Sequence, residues 1–282
     1  MVNGTVTTMN IAKAFDNVRA KTPLVHNITN YVTVHDVANI ILACGGSPIM
    51  SDEPEDVEDI TAICNALNIN IGTLNKRSIE AMFVAGEKAA ALGHALLLDP
   101  VGAGASRLRT TTALELMGAV KFTSIRGNIS EISTLAHGTG TTRGVDADAA
   151  DAVTDANLAA KAAFAKEFAA KTGSVIAITG AIDLVADPSR CCAIRNGTPR
   201  MGTITGTGCQ LSGMSAAFLA ANMDDPFAAQ VAAICAMGLA GEIAESALQP
   251  GEGNSTFGNR IIDAISLMDG AALEKGARYE LL

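Results

Sequence analysis

The chain has 282 residues and a formal net charge of −9, because its 29 acidic side chains outnumber its 20 lysines and arginines. A nucleic-acid surface needs clustered Lys and Arg to neutralise phosphates, so this charge argues against a nucleic-acid partner. Hydrophobic residues make up 49% of the chain but aromatics only 4%, which predicts a core of Ala, Val, Ile, Leu and Met. The length supports one large core, and we expect a single small-molecule domain over residues 1–282.

Neither a membrane partner nor secretion is predicted. The apolar stretches are broken by polar residues, Gly or Pro before they reach spanning length. The first residues lack a basic start, an apolar block and a cleavage site, so a cytoplasmic location is expected by default. The six cysteines contain no C-x-x-C pair, and adjacent Cys191 and Cys192 are poorly placed to share a metal. Buried, reduced thiols are therefore expected.

The first half of the chain alternates predicted helices with short strands. Helices are indicated by apolar residues at helical spacing, and strands by short apolar runs that end in polar residues. In chain order these are a helix over 11–19, a strand over 24–27 leading into a helix that ends before 45–46, a strand over 47–52, a helix beginning in the acidic run 53–59, a strand over 66–72, a helix over 78–92 and a strand over 95–99.

Polar side chains follow several of these predicted strands. Asp99 ends a continuous apolar run, which is typical of a central parallel strand buried on both faces. Ligands of open α/β sheets collect outside the carboxyl ends of strands, so Asp99 is a site candidate. The same reasoning marks His26, Asn27, Thr29 and Asn30 as a candidate substrate wall, although Asn and Thr also commonly cap helices.

A second polar junction follows a predicted helix over 111–118 and a strand that ends at Arg126. Asn128 and Glu131 lie three residues apart where the next helix begins. One interpretation is a capping box, in which the two residues bond each other's backbone N–H groups. The other is that both project toward phosphate-bound Mg²⁺, which prefers oxygen ligands, with Arg126 neutralising the phosphate.

The second half contains predicted turns, hairpins and helices. In order, we expect a mobile acidic surface turn over 138–151, a long helix over 152–172, a hairpin around Gly180 whose first strand ends at Thr179, a second hairpin over 191–202 with a tight turn at Asn196-Gly197, a helix over 225–248, a loop over 251–258 and a last helix over 259–267.

A glycine-rich turn leads directly into an apolar helical segment over residues 201–221. Gly202, Gly206 and Gly208 permit backbone conformations and close approaches that a side chain would block. The first N–H groups of a helix have no intrahelical partner and lie at the positive end of its dipole, so an anion can bind there. The alternative is a plain connection before an Ala-rich core helix, because an isolated glycine motif is not specific.

The alternation of strands and helices predicts a doubly wound, mostly parallel α/β sheet with hairpins near one edge. All the candidate residues lie at strand ends or at loop-to-helix junctions. This placement is coherent, but it does not identify a reaction.

Six segments, taken together, resemble the landmarks of hydroxyethylthiazole kinases, a thiamine-salvage family of the ribokinase-like superfamily. They are VHNITNYV at 25–32, SPIMSD at 47–52, LDPVGAG at 98–104, RGNISE at 126–131, ITG at 178–180 and GTGC at 206–209. The resemblance spans nearly the whole chain and implies a ribokinase-like fold. It also implies transfer of the ATP γ-phosphoryl group to the alcohol of 4-methyl-5-(2-hydroxyethyl)thiazole, by a homotrimer with active sites at subunit interfaces.

The resemblance also implies roles for individual residues. The implied catalytic anion hole comprises Gly206, Thr207, Gly208 and Cys209. The implied ligands of Mg²⁺ and the nucleotide phosphates are Asn128 and Glu131 for the metal, Arg126 and Thr179 for ATP, and Asp99 for both. Met50, Asn27 and Gly206 would contact the thiazole substrate.

Cys209 departs from the wider superfamily, in which most sugar and pyrimidine kinases have Asp at the matching position. A thiol near a helix N-terminus can have a lowered pKa and act as a base. An alcohol that attacks through a loose transition state, however, needs little base assistance. Both roles for Cys209 remain open from the sequence.

Three rival functions follow from the same residues. A hydroxymethylpyrimidine kinase would share the phosphate machinery but would be expected to carry Asp in the turn. A hydrolase with a Cys nucleophile would need a histidine in a recognisable signature, and none of the four has one. A non-catalytic nucleotide-binding regulator would not need the intact N-x-x-E and glycine-turn residues.

Overall fold

Nine strands form one sheet in the computed structural model, which describes residues 9–138 and 152–282. They are β1 (Leu24–Ile28), β2 (Ser47–Met50), β3 (Ala66–Asn70), β4 (Ala95–Asp99), β5 (Ser124–Asn128), β6 (Val175–Thr179), β7 (Asp183–Ala186), β8 (Cys191–Ile194) and β9 (Tyr279–Leu281). Their spatial order is β2-β1-β3-β4-β5-β6-β7-β8-β9. Strands β1 to β6 pair in parallel, and β6 to β9 pair antiparallel.

Helices cover both faces of this sheet, so the predicted doubly wound α/β fold is confirmed. The described helices are α1 (Ile11–Lys21), α2 (Val34–Cys44), α3 (Val57–Ile63), α4 (Lys76–Leu92), α5 (Arg107–Ala119), α6 (Ile129–His137), α7 (Leu158–Thr172), α8 (Thr207–Ala221), α9 (Pro226–Ser246), α10 (Asn254–Leu267) and α11 (Gly270–Gly276), with a short 3₁₀ helix at Pro199–Thr203. One hydrophobic core contains residues of α1, α2 and α8 to α11, and the other contains residues of α3 to α7.

Side-chain alternation along the strands determines which core each residue enters. On β4, Ala95 and Leu97 belong to the core beneath α8, whereas Leu96 and Leu98 belong to the opposite core. Because successive side chains of a strand point to opposite faces, Asp99 falls on the α8 side. The parallel register brings Asn70 beside Asp99. Polar residues therefore collect at the carboxyl edge of the sheet, next to α8.

The predicted second hairpin is wrong. Residues 199–203 form the 3₁₀ helix, and β8 pairs instead with β7 and with the C-terminal β9. Asn196 is held by a remote segment, because its Nδ2 donates to Gly276 O and its Oδ1 accepts from Arg278 N. Gly197 N donates to the Glu242 carboxylate rather than across a hairpin. These tertiary bonds override the local Asn-Gly turn preference.

Several predicted helix boundaries also differ. Helix α7 begins six residues later than expected, because Asn157 bonds the backbone of Thr154 and Ala152 in a turn. Helix α10 begins at Asn254, so much of the predicted 251–258 loop is helical, and Phe257 is fully buried. Helices α4 and α5 start earlier than predicted, whereas α3 begins at Val57, inside the acidic run, as predicted. Beyond Gly138, the expected acidic turn lies outside the described residues.

The longest apolar helix of the described residues is buried in the core. Helix α9 is 21 residues long and apolar enough to cross a membrane by length and composition. Of its most apolar window, 83% is buried inside the protein. Gln230, Gly238 and Gly241 interrupt its apolar residues, as expected from the sequence, and the helix packs in the core on the α8 side of the sheet.

Candidate active site

The glycine turn predicted to bind an anion begins helix α8 at the carboxyl edge of the sheet. Gly206 is the N-cap residue of the helix with φ +91°, and no side chain caps the helix. A Cβ on Gly206 would lie 2.6 Å from Thr33 Cγ2, so both the conformation and the space require glycine. The first backbone N–H groups of a helix lack intrahelical partners. Thr207, Gly208 and Cys209 therefore present a donor array suited to an anion.

Asp99 lies beneath this turn and is only 1% exposed. Its Oδ2 accepts hydrogen bonds from Asn70 Nδ2 and Ser212 Oγ, each at 2.8 Å, and Arg126 Nη1 lies 3.5 Å away. Its Oδ1 has no hydrogen-bond partner, although it is buried. Burial raises the pKa of the Asp99 carboxyl, and the neighbouring Arg126 charge only partly opposes this rise.

Arg126 joins the turn to the sheet. Its Nη1 donates to Gly208 O at 3.0 Å, and its Nη2 donates to Thr179 Oγ1 at 2.7 Å. The guanidinium lies so close beneath the turn that a Cβ on Gly208 would be 3.0 Å from Nη1. The buried Arg126 Nε has no partner. The structure thus brings together three predicted site residues on adjacent strands. Asp99 and Thr179 end β4 and β6, but Arg126 lies two residues before the end of β5 and not at its end as predicted.

Asn128 and Glu131 form the capping box that was one of the two sequence interpretations. Asn128 Oδ1 accepts from Glu131 N at 2.9 Å, and Glu131 Oε2 accepts from Asn128 N at 2.8 Å. Glu131 Oε1 also accepts from Gly102 N at 2.8 Å, so both carboxylate oxygens bond backbone N–H groups. Burial and the nearby Asp99 charge raise the pKa of Glu131 to about 7. In residues 9–138 and 152–282, no cluster of three or more His, Cys, Asp or Glu could hold a metal.

Cys209 is the only half-buried cysteine of the six, all of which are free. Its Sγ lies 3.1 Å from Asn30 Nδ2 and 3.3 Å from Asn70 Nδ2. Burial raises the pKa of the Cys209 thiol and the Asp99 charge adds to the effect, while hydrogen bonds from Thr33 and Asn30 oppose it. The lowered pKa considered from its helix N-terminal position is therefore wrong, because desolvation exceeds the effect of the donors.

Met50 and Asn27 lie side by side at the ends of the paired strands β2 and β1. Met50 is half-buried against the α8-side core. The Asn27 side chain is 2% exposed and is held by Val25 O at 2.9 Å and by Asn68 Nδ2 at 3.0 Å. His26, which was grouped with Asn27 in the sequence, points to the other face, where Thr61 and Ser51 bond its ring.

Sequence reasoning missed Asn70 and Ser212, which contact predicted site residues, and Arg109, which joins two loops next to the site. Asn70 could have been found, because an amide at the end of a buried apolar strand is costly unless it is hydrogen-bonded. In the structure it pairs in register with Asp99. Ser212 follows Cys209 by three residues on α8, a spacing that places both on one helix face. Arg109 bridges two site loops, because its Nη2 donates to Gly72 O at 2.7 Å and its guanidinium packs on Gly102. No sequence pattern marked Arg109.

Known proteins share this architecture and sequence. The model of the hydroxyethylthiazole kinase family matches residues 15–270. A hydroxyethylthiazole kinase of Clostridium acetobutylicum is 56% identical over 96% of this chain and 99% of its own length. One from Desulfovibrio desulfuricans is 46% identical over 96% of this chain and 97% of its own.

Solved structures agree. A hydroxyethylthiazole kinase protein from Pyrococcus horikoshii OT3 superposes with a TM-score of 0.84 at 33% identity, covering 96% of this chain and 98% of that one. The pyridoxal kinase of Staphylococcus aureus in complex with ADP has a TM-score of 0.62 at 12% identity, covering 92% of this chain and 97% of that one. The second likeness shows the fold alone.

Proposed function

Because the chain belongs to the hydroxyethylthiazole kinase family, we propose how its residues divide the work of that family's reaction. This reaction is the ATP-dependent phosphorylation of the hydroxyl of 4-methyl-5-(2-hydroxyethyl)thiazole, a step of thiamine salvage. The ribokinase-like fold is common to this chain and its structural neighbours. What remains to be assigned is the role of each side chain at the carboxyl edge of the sheet.

The order of the strands is the observation that carries the proposal. Strands β2 and β1 place Met50 and Asn27 at one side of the edge, and β5 and β6 place Arg126 and Thr179 at the other. The GTGC turn lies between them, with Cys209 against Asn70 of β3 and Gly208 against Arg126. We assign the first side to the thiazole alcohol and the second to ATP. The turn then lies where the phosphoryl group is transferred.

The anion hole is the proposed source of most of the rate acceleration. The N–H groups of Thr207, Gly208 and Cys209 would donate to the non-bridging oxygens of the transferring phosphoryl group. Removing one such preorganised donor typically costs roughly a hundredfold or more in rate. Gly206 would contact the substrate and keep the approach open, since any side chain there meets Thr33. Catalysis of phosphoryl transfer depends mainly on positioning and charge stabilisation, so the protein needs little covalent chemistry of its own.

Cys209 acts in this proposal by shaping the pocket around the attacking hydroxyl. With its pKa raised, the thiol keeps its proton near neutral pH and so cannot take the proton of the alcohol. The hydroxyl oxygen forms its bond to the γ-phosphorus while the bond to ADP breaks. Its proton then passes late to a phosphoryl oxygen, as a loose transition state permits.

The site fits Mg²⁺ at Asp99. Two buried acids, Asp99 and Glu131, share one buried guanidinium, and Asp99 Oδ1 has no partner. A buried, unpaired carboxylate oxygen is costly, and Mg²⁺ prefers oxygen ligands. Asp99 would therefore hold the ion directly, and Glu131 and Asn128, already engaged in the capping box, would act through water. The ion would supply positive charge to the phosphates of ATP.

We also propose that residues 1–282 form one kinase domain that works in the cytoplasm as a homotrimer with active sites between subunits. The single sheet supports the first part. Tyr31 and Val32, beside Asn30 of the site, are 78% and 58% exposed, which suits a subunit contact. Light scattering tests the assembly, because a trimer has three times the mass of the chain.

Release of ADP tests the assignment of the substrate. The protein is mixed with ATP and Mg²⁺, and ADP is followed with the thiazole alcohol, with the hydroxymethylpyrimidine alcohol, and with no acceptor. We expect only the thiazole alcohol to stimulate release. Preferential stimulation by the pyrimidine would support the rival kinase. ADP release that no alcohol stimulates would contradict the proposal.

A further inference from the structure

Two amide groups converge on the sulfur of Cys209. Asn30 reaches it from the loop after β1, at 3.1 Å, and Asn70 reaches it from the end of β3, at 3.3 Å. These residues are 179 and 139 positions away from Cys209 in the chain. Both amides are buried, at 5% and 1% exposure. An arrangement of two buried donors on one side chain needs an explanation, because a thiol sulfur is only a weak acceptor.

The rest of the network determines which way each amide faces. Asn70 Oδ1 accepts from Gly72 N at 2.9 Å and from Asn30 Nδ2 at 3.1 Å. Asn30 Oδ1 accepts from Thr33 Oγ1 at 3.1 Å. Both amide oxygens are thus occupied by donors, and each NH₂ group also has one other acceptor, Asn70 Oδ1 for Asn30 and Asp99 Oδ2, at 2.8 Å, for Asn70. The remaining hydrogen of each NH₂ group turns toward Cys209. The two donors are therefore imposed on residue 209 by the surrounding fold.

Such a pair of donors suits an anionic side chain better than a neutral thiol. Hydrogen bonds to a charged acceptor are about twice as strong as those between neutral groups. The N-terminus of α8, where residue 209 lies, adds the positive end of a helix dipole. The nearby Asp99 charge opposes an anion at this position, and Arg126 offsets part of it. The donors on the other side of this balance are Asn30 and Asn70, together with Thr33.

We propose that Asn30 and Asn70 are positioning residues that hold side chain 209 against the reacting hydroxyl. Their NH₂ groups form a site that favours an anionic side chain at position 209. The proposal rests on the function proposed above, since it concerns the same hydroxyl. It gives Cys209→Asp a defined outcome. A carboxylate at position 209 would accept from both amides more strongly than a thiol does, so each amide should matter more to the turnover of Cys209→Asp than to that of the native enzyme.

The activity test removes one amide in three backgrounds. Asn30→Ala is combined with native Cys209, with Cys209→Asp and with Cys209→Ala, and kcat and the KM for ATP are measured. From typical hydrogen-bond strengths, kcat falls roughly two- to tenfold with Cys209 and roughly ten- to a hundredfold with the carboxylate. With Cys209→Ala there is no acceptor, so the loss of kcat is smallest. The KM for ATP stays unchanged in all three.

A second measurement does not depend on activity. The change in melting temperature caused by Cys209→Asp is measured with Asn30 present and with Asn30→Ala. The proposal predicts that Cys209→Asp lowers the melting temperature much less when Asn30 is present than when it is replaced by alanine. Asn222→Ala is the matched control, because Asn222 is a buried amide with three hydrogen bonds at the opposite end of α8. It lowers the melting temperature by the same amount whichever residue occupies position 209.

Equal losses from Asn30→Ala in all three backgrounds, in kcat and in melting temperature, would overturn the proposal, because a purely structural amide does not sense residue 209. A failure of the proposed function looks different. If the thiazole alcohol does not stimulate ADP release, kcat cannot be compared among the variants. The melting temperatures still show whether Asn30 interacts with residue 209.

Discussion

Two polar clusters are buried between the sheet and the helices on its α8 side, and they differ in how completely their atoms are paired. In the first, Ser124 Oγ donates to Gln230 Oε1 at 3.0 Å and Gln230 Nε2 donates to Ser215 Oγ at 2.9 Å. The second, built around Asp99 and Arg126, leaves Asp99 Oδ1 and Arg126 Nε without partners. Buried polar atoms are normally paired, because an unpaired one costs free energy.

The difference separates a structural cluster from a functional one. The paired cluster joins β5, α8 and α9 and offers nothing to a ligand. The unpaired cluster lies where α8 begins, beneath an uncapped helix N-terminus, and its spare atoms are available to a substrate or a cation. Changes in the first should reduce stability and changes in the second should reduce activity.

Gly206→Ala tests the second region with the largest expected effect. The methyl group would meet Thr33 Cγ2 at 2.6 Å, and alanine is strained at φ +91°, so the donor array is displaced. We expect kcat to fall roughly a hundredfold or more. Gly93→Ala is the matched control, because Gly93 has φ +70° with nothing within 4 Å of its Cβ position. It should cost about 1 kcal/mol of stability and leave kcat unchanged. Equal losses of activity in both variants would refute the anion hole.

Asp99→Asn alters the unpaired oxygen itself. The amide oxygen can keep the bonds from Asn70 and Ser212, while the NH₂ group replaces Oδ1. The negative charge that would hold Mg²⁺ is lost, so we expect kcat to fall on the order of a hundredfold and the Mg²⁺ concentration needed for half activity to rise. Titrating activity with Mg²⁺ measures both quantities. An unchanged Mg²⁺ requirement would exclude Asp99 as a ligand of the ion.

Ser124→Ala tests the paired cluster. It leaves Gln230 Oε1 without its donor in the core, so we expect a loss of about 1–3 kcal/mol in the free energy of unfolding. The kcat should stay at the native value, because no atom of this cluster reaches the turn. Urea unfolding and the ADP assay measure the two quantities. A fall in kcat with little loss of stability would break the contrast between the clusters.

The pH dependence of stability gives the smallest expected effect. The pKa of Glu131 is raised from 4.5 to about 7 in the folded protein, so between these values the folded state holds a proton that the unfolded state has lost. Stability from this group is therefore present at low pH and falls as pH rises to about 7, by less than about 1.4 kcal/mol per unit. Urea unfolding at several pH values without Mg²⁺, compared with Glu131→Gln, measures it. Parallel pH profiles would contradict the raised pKa.

Much of the fold was predictable because it depends on local patterns. Short apolar runs that end in polar residues marked the parallel strands, and the glycine turn marked the start of α8. The predicted Asn196-Gly197 hairpin is wrong because the edge of β8 that does not pair with β7 pairs with β9, 85 residues further along the chain from Ile194 to Tyr279. Local turn preference carries no information about such a partner.

The site divides in the same way. Side-chain periodicity and chain direction are sufficient to predict that Met50, Asp99, Thr179 and the GTGC turn stand at strand ends and helix starts. Long-range packing, in contrast, brings Asn30 and Asn70 to Cys209, bonds Glu131 to Gly102, and leaves one oxygen of Asp99 unpaired. The physical reason is that pairing and burial depend on contacts between residues remote in the chain, which packing sets and local sequence does not encode.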